Sequence, residues 1–384
     1  MIPYARQDIS EQDIQAVVDV LKSDWLTQGP AVPKFEKTVA EYCKVDHAIA
    51  MCNATAVLHV ACLALDLRPG DILWTSPNTF VASANCALYC GASVDFVDID
   101  PRTYNMSVHA LREKLEQAER AGRLPKIVVP VHFGGQSCEM RDIKALGDRY
   151  GFRVIEDAAH AIGGRYLDEP VGGCRYSDIA ILSFHPVKII TTGEGGMALT
   201  NNSDLAEKMR LLRSHGITRA PAQMVGESEG AWYYQQVALG YNFRMTDIPA
   251  ALGASQMARI DRFVQRRRAI AKRYDEAFRE LPLVTPWQHP DARSAFHLYP
   301  VRIPGKDGKR KKVFDSLRKA EIIVNVHYIP VHTQPHFRQF GFKDGDFPET
   351  ERYYREAISL PMFPSMADES VDYVIRQLSL ILER

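Results

Sequence analysis

Lys188 lies in Phe184-His185-Pro186-Val187-Lys188-Ile189-Ile190, just ahead of Thr191-Thr192-Gly193-Glu194-Gly195-Gly196. Asp157 closes the apolar run Val154-Ile155-Glu156-Asp157, and one further strand-like run, residues 178–183, fits between the two. A lysine amine and a carboxylate in this relation suit pyridoxal phosphate (PLP) chemistry. The amine holds the cofactor aldehyde as a Schiff base, and the carboxylate keeps the ring nitrogen protonated so that the ring can accept electrons. Open α/β sheets put their ligand sites just past the carboxyl ends of the strands, where Asp157 falls. Alone, Asp157 reads equally well as the N-cap of a helix beginning at Ala158, and Lys188 as a surface lysine before a turn. The two together favour the cofactor pair.

Other residues extend the set. His160, three positions after Asp157, is placed to stack on or hydrogen-bond the ring, or to serve as a structural histidine. Ser183 ends its run with a hydroxyl suited to a phosphate or to a turn. Asn53-Ala54-Thr55 sits between a strand and a helix, where helix N-terminal amides and a threonine hydroxyl suit a phosphate. Phe80 reads as a ring-stacking face or as core. Asn242 and Arg244, in Gly240-Tyr241-Asn242-Phe243-Arg244-Met245, read as anion or sugar contacts or as an interdomain turn capped by Thr246. His327, His332 and His336 do not share a helical face, since Pro330 and Pro335 interrupt them, so no metal site is expected.

The elements that must position these groups read as an α/β layered fold with a mainly parallel sheet. Apolar runs near residues 48–52, 72–75, 94–97, 127–131, 154–157, 178–183 and 196–200 alternate with helical patterns. The rhythm changes after residue 245. A long helical stretch over residues 248–281, heavily charged from Arg259 to Arg279, reads as an exposed linker helix. Strand-like runs at residues 297–302 and 322–326 flank a helix over 313–320, and an amphipathic helix closes the chain. Residues 1–246 are therefore expected to form a large α/β domain, and residues 247–384 the linker helix and a smaller α+β domain.

Composition bounds the rest. The 384 residues carry 47 Lys+Arg and 47 Asp+Glu, a formal net charge of +0, which gives no support for a nucleic-acid partner. Seven cysteines without a Cys-x-x-Cys pair suit a reduced compartment. No apolar window approaches a membrane span and the first residues are not signal-like, so a cytoplasmic protein is expected. Neither Gly-x-Gly-x-x-Gly after a strand nor Gly-x-x-x-x-Gly-Lys-Ser/Thr occurs, which removes the main support for dinucleotide or nucleoside-triphosphate binding.

These residues, in this order, resemble the DegT/DnrJ/EryC1/StrS family of sugar-nucleotide aminotransferases, of PLP fold type I. The resemblance runs through Leu26-Thr27-Gln28-Gly29-Pro30, Asn53-Ala54-Thr55, Thr79-Phe80, Glu156-Asp157-Ala158-Ala159-His160, Ser183-Phe184-His185, Lys188 with Thr192-Gly193-Glu194-Gly195-Gly196, Gly240-Tyr241-Asn242-Phe243-Arg244-Met245, and His327-Tyr328-Ile329-Pro330-Val331-His332. The Phe-His-Pro-Val-Lys and Leu-Thr-Gln-Gly segments resemble the branch that makes pseudaminic acid precursors.

The resemblance implies that Lys188 carries the cofactor and moves protons, and that Asp157 protonates the ring nitrogen. His160 would support the ring, with Phe80 stacked on its face. Ala54, Thr55 and Ser183 would hold the phosphate, with Asn242 reaching it from the neighbouring subunit of a homodimer. Tyr4, the loop Asp24-Trp25-Leu26-Thr27, and Asn325-Val326-His327-Tyr328 would contact the nucleotide sugar. Arg244 would bind the diphosphate or the carboxylate of glutamate. The implied reaction moves an amino group from L-glutamate to C4 of a UDP-linked 4-keto-6-deoxy-N-acetylhexosamine. Two positions depart from a frequent family pattern, Ala54 where many members carry Gly and His160 where many carry Gln. Rival readings are transamination of another nucleotide-linked keto sugar, including dTDP-linked ones, a sugar dehydratase on the same fold, and a cofactor-binding regulator. Family dehydratases replace the lysine, commonly by histidine, so Lys188 argues against that rival.

Overall fold

The computed structural model describes residues 1–306 and 308–383. All seven apolar runs of the first 200 residues form one sheet: β1 (His47–Met51), β2 (Ile72–Thr75), β3 (Ser93–Phe96), β4 (Ile127–Val129), β5 (Arg153–Asp157), β6 (Ile179–Ser183) and β7 (Gly196–Thr200). Their spatial order is β1-β7-β6-β5-β4-β2-β3. β7 runs antiparallel to both neighbours, and every other pairing is parallel. The expectation of a mainly parallel α/β sheet is met.

Alternate residues of a strand point to opposite faces, and here both faces are covered. Ile49, Met51, Ile179 and Ile181 join an apolar cluster with Val57 and Leu58. Ala48, Ala50, Ala180 and Leu182 join a second cluster with Phe35, Val39 and Phe184. Burial on both sides explains why the strands read as unbroken apolar runs. Seven helices flank or precede these strands: α1 (Glu11–Leu21), α2 (Ala31–Cys43), α3 (Ala54–Ala64), α4 (Ala82–Tyr89), α5 (Val108–Arg120), α6 (Met140–Tyr150) and α7 (Ser203–Leu212). Their packing differs with their sequences. α3 is apolar nearly all round and is buried from Ala56 to Cys62, whereas α5 buries only the stripe Leu111, Leu115 and Ala118.

The region beyond residue 245 corrects the sequence reading in two places. The single long helical stretch is two helices, α8 (Asp247–Met257) and α9 (Ile260–Ala277). α9 is no exposed linker, because Ile260, Phe263, Val264, Arg267, Ile270, Ala271 and Tyr274 are buried. Apolar residues at helical spacing lay among the charges, and one of the charges is itself internal. Arg267 is fully buried, and its Nη1 donates to the carbonyls of Phe296, His297 and Met362 at 3.3, 3.2 and 3.0 Å. The first half of α9 packs into the second sheet cluster. Its second half packs with β8 (Tyr299–Arg302), β9 (Ala357–Leu360), α10 (Lys309–Lys319) and α11 (Asp368–Leu382).

The second correction concerns the strand expected at residues 322–326. β8 pairs instead with β9, and residues 322–326 make only isolated bridges, Ile2 to Ile322 and Asn325 to Ser359. β9 has four residues and directly follows a helix, Pro348–Glu356, too short a run for alternation to reveal it. Asp307 and Arg384, within the expected 247–384 unit, lie outside the described residues. No helix among the described residues is long and apolar enough to cross a membrane.

Candidate active site

The β5–β6 side of the sheet delivers two buried polar ends. Asp157 is the last residue of β5 and is 5% exposed. Ser83, in the first turn of α4, donates its hydroxyl to Asp157 Oδ2 at 2.5 Å, and the Ala159 amide donates to Oδ1 at 3.1 Å. Lys188 lies in the connection from β6 to β7. That connection is pinned on both sides of the lysine: Ile189 and Ile190 are buried, the Lys188 amide donates to His185 O at 2.9 Å, and the Thr192 amide donates to Phe184 O at 2.9 Å. Gly193 takes φ 79 to turn the chain into β7. Burial penalises the charged amine and brings the Lys188 pKa down to about 8, with Asp157 pulling the other way.

Imidazoles surround this pair and are held neutral. Burial first, then Lys188 and His327, push His160 well below the usual histidine range. Burial and Lys188 bring His327 to about 4. His297 packs on His160 with ring centroids 4.4 Å apart and is lowered in the same direction, first by burial. The network assigns the tautomer of His160. Its Nδ1 accepts from the Gly134 amide at 3.3 Å, so the proton sits on Nε2 and is donated to the Tyr328 hydroxyl at 3.0 Å. Burial, with the charge of Asp157, raises the Tyr328 pKa, so the phenol stays protonated with its own hydrogen free for another acceptor. His327 is fixed behind it, Nδ1 to Ser359 Oγ at 2.8 Å and Nε2 to Asn325 Nδ2 at 3.4 Å.

A second corner forms where β1 enters α3. Asn53 caps the helix by accepting the Ala56 amide at 2.8 Å. The amides of Ala54 and Thr55 have no protein acceptor among the described residues, which makes this helix start a place for an anion. β7 lies hard against it. A Cβ on Gly196 would stand 2.5 Å from Ala54 N and 2.6 Å from Asn53 C. Ser183, a buried residue, pairs with Gly196 across the sheet, and its hydroxyl has no protein partner among the described residues.

The sequence-derived set is thus brought together in large part. Asp157, His160, Lys188, His327 and Tyr328 form one group, with Asn325 behind it. Tyr4 joins through its ring, 5.7 Å from that of His327. Phe80 is 59% exposed, which excludes a core role, and its ring centroid is 6.3 Å from Tyr328. Val326 is partly exposed, its amide turned back onto Asn325 Oδ1 at 2.8 Å.

Two parts of the set stand apart. Asp24, Trp25, Leu26 and Thr27 form an exposed loop. Asn242 is exposed and bridges Ser214, while Arg244 bridges Met51 and donates from Nη1 to Ser214 Oγ at 3.0 Å. No hydrogen bond or aromatic contact among the described residues ties Asn242 or the 24–27 loop to the Lys188 group.

Sequence reasoning missed Ser83 and His297, which carry no motif of their own, and Asp247. Asp247 is fully buried and accepts from the amides of Gly29 and Ala31, each at 2.8 Å, holding the 24–30 loop against α8. A local signal was available only for Asp247, an acid in the first turn of a helix after Met245-Thr246.

The donors present fit PLP: a buried carboxylate, an amine of lowered pKa, an exposed aromatic face, and free helix amides beside a serine hydroxyl. Comparison with known proteins agrees. Residues 7–379 match the DegT/DnrJ/EryC1/StrS aminotransferase family. The spore coat polysaccharide biosynthesis protein SpsC of Bacillus subtilis is 40% identical over 387 residues, covering 100% of this chain and 97% of the relative. The UDP-4-amino-4,6-dideoxy-N-acetyl-beta-L-altrosamine transaminase of Campylobacter jejuni is 35% identical, covering 100% and 98%. Among solved structures, Helicobacter pylori PseC, an aminotransferase involved in the biosynthesis of pseudoaminic acid, superposes with a TM-score of 0.91 at 31% identity, covering 100% of this chain and 99% of that one. The family, the fold and the group around Lys188 converge: this chain belongs to the DegT/DnrJ/EryC1/StrS aminotransferase family and is a PLP-dependent sugar aminotransferase of PLP fold type I.

Proposed function

We propose that the protein transfers the amino group of L-glutamate to C4 of a UDP-linked 4-keto-6-deoxy-N-acetylhexosamine, in a pathway of the pseudaminic acid kind. The observation that carries the reading is the Lys188–Asp157 pair ringed by neutral His160, His327 and protonated Tyr328. The 35% identity to the Campylobacter jejuni transaminase supports the choice of substrate.

When bound, PLP supplies an electron-accepting ring that stabilises negative charge on the carbon beside the transferred nitrogen. The chain's own groups do the rest. Lys188 Nζ, neutral above about pH 8, takes the proton from the α-carbon of glutamate and later delivers one to sugar C4. Asp157 would pair with the ring nitrogen and Phe80 would cover a ring face, while the Ala54 and Thr55 amides and the Ser183 hydroxyl would hold the phosphate. His160, fixed as the Nε2–H tautomer, aims the Tyr328 hydroxyl at an acceptor on the substrate side. Tyr4, Asp24, Trp25, Leu26, Thr27, Asn325, Val326, His327 and Tyr328 accommodate the sugar nucleotide, with Arg244 on its diphosphate or on glutamate.

The working unit is a homodimer in which Asn242 serves the partner's phosphate. Exposed Trp232, Tyr234, Val237 and Leu239, which precede it, support a covered surface there. Residues 1–246 and 247–384 act as the large and small domains, and the protein works in the cytoplasm.

The higher identity to SpsC favours a second reading, transamination of another nucleotide-linked keto sugar. Incubation with a panel of UDP- and dTDP-linked 4-keto sugars and glutamate, read by mass spectrometry, separates the two. A tenfold preference, about 1.4 kcal/mol of transition-state binding, for a dTDP sugar lacking the acetamido group would overturn the first reading.

A further inference from the structure

Asp157 is reached from outside its own strand by a hydrogen-bonded chain through Ser83, a residue in none of the motifs. Thr79 Oγ1 and Ser83 Oγ are 2.9 Å apart, and Ser83 Oγ is 2.5 Å from Asp157 Oδ2. Thr79, Ser83 and Asp157 are 2%, 1% and 5% exposed. An ionised carboxylate can only accept. Ser83 must therefore donate to Asp157, and its oxygen is left to accept the Thr79 hydroxyl. A helical serine can bond back to a carbonyl of the preceding turn; this one reaches across to the end of β5 instead. With Ala159 N–H on Oδ1, both carboxylate oxygens are held, and a torsion that is otherwise broad is fixed. Phe80 follows Thr79 directly, so one short segment carries both the exposed aromatic face and the donor to the carboxylate.

We infer that Ser83 is a positioning residue for the cofactor. Through the directed chain Thr79 to Ser83 to Asp157, it sets the orientation of the carboxylate that meets the ring nitrogen. A donor to a charged acceptor in a dry site is worth more than a neutral pair, and the chain couples Asp157 to the turn that presents Phe80. This rests on the reading of Asp157 as the ring partner.

The test is a cycle of full-length variants, S83A, S83T, T79V, D157N and S83A/D157N. PLP affinity and the position and pH midpoint of the bound cofactor's visible absorption band are measured alongside turnover. S83A is expected to loosen PLP about tenfold or more and to move the band, S83T to restore both, and T79V to give a smaller loosening in the same direction. In the D157N background S83A should cost little further. An equal cost of S83A in both backgrounds, or native affinity and absorption in S83A, overturns the inference. Should S83A not fold, T79V decides alone, and native PLP affinity in it overturns the relay. The two levels separate cleanly. D157N with native affinity and turnover removes the reading of Asp157 and this inference with it, whereas an impaired D157N beside a native S83A removes the inference only.

Discussion

At Lys188, burial and Asp157 act in opposite senses on one amine, and burial wins. Lowering a base's pKa enlarges the range in which its neutral, nucleophilic form is populated. The cofactor-free protein should capture PLP with a rate that rises through a midpoint near pH 8, the value of about 8 brought down from an ordinary 10.5. Initial rates followed by absorbance across about pH 6.5 to 10.5 check this, and a midpoint near that of an exposed lysine would remove the desolvation argument. Lys188→Ala should abolish transamination and leave nothing for borohydride to fix covalently. Peptide mapping of the reduced protein is decisive, since cofactor attached to a peptide lacking Lys188 would reassign the residue. Both groups were legible in the sequence, because a lysine before a glycine turn and an acid at a strand end are local features. Ser83 and His297 were not, because each acts on a residue far away in the chain.

At the scale of elements, close packing decides how the corner at α3 is shaped. β7 approaches the 53–54 turn so closely that only glycine fits at 196. Gly196→Ala pushes against backbone atoms that cannot swing away, so it should cost roughly 1–3 kcal/mol of stability and loosen PLP. Thermal melting and cofactor titration read the two effects, and unchanged values in both would show that the turn yields. α8 plays a comparable part for the 24–30 loop. Asp247→Ala removes the acceptor of the Gly29 and Ala31 amides and should destabilise by about 1–3 kcal/mol. In the functional reading it raises KM for the sugar nucleotide more than it lowers kcat. A fall in kcat with KM unchanged would detach the loop from substrate binding.

At the scale of the whole molecule, Asn242 stands apart from the Lys188 group. Asn242 is exposed, and no contact among the described residues joins it to the Lys188 group. It sits beyond a surface segment rich in exposed aromatic and aliphatic side chains. If Asn242 serves a partner's phosphate, Lys188→Ala and Asn242→Asp are lesions in different halves of each site. In a mixed dimer one site carries both lesions and the other carries neither, so subunit exchange between the two inactive variants should return partial activity. No recovery after verified exchange would put Asn242 in its own subunit's site or outside any site.

The sequence by itself determined what is local or periodic. Seven apolar runs became seven strands because a sheet buried on both faces needs continuous apolar residues. The helices α3 to α6 followed from helical patterns between the apolar runs, and the residues that resemble a family gave the reaction class. Tertiary structure decided what depends on distant partners. It broke the long helix after Met257 and buried a face of its charged half, because Ile260, Phe263, Ile270 and Tyr274 found apolar partners that a count of charges conceals. It replaced the strand expected at 322–326 with Ala357–Leu360, because a four-residue pairing is selected by its neighbour rather than by its own pattern. It also supplied the electrostatics of the site. Whether His160, His297 and His327 are charged depends on how far water is excluded around Lys188, and residue order alone does not specify that.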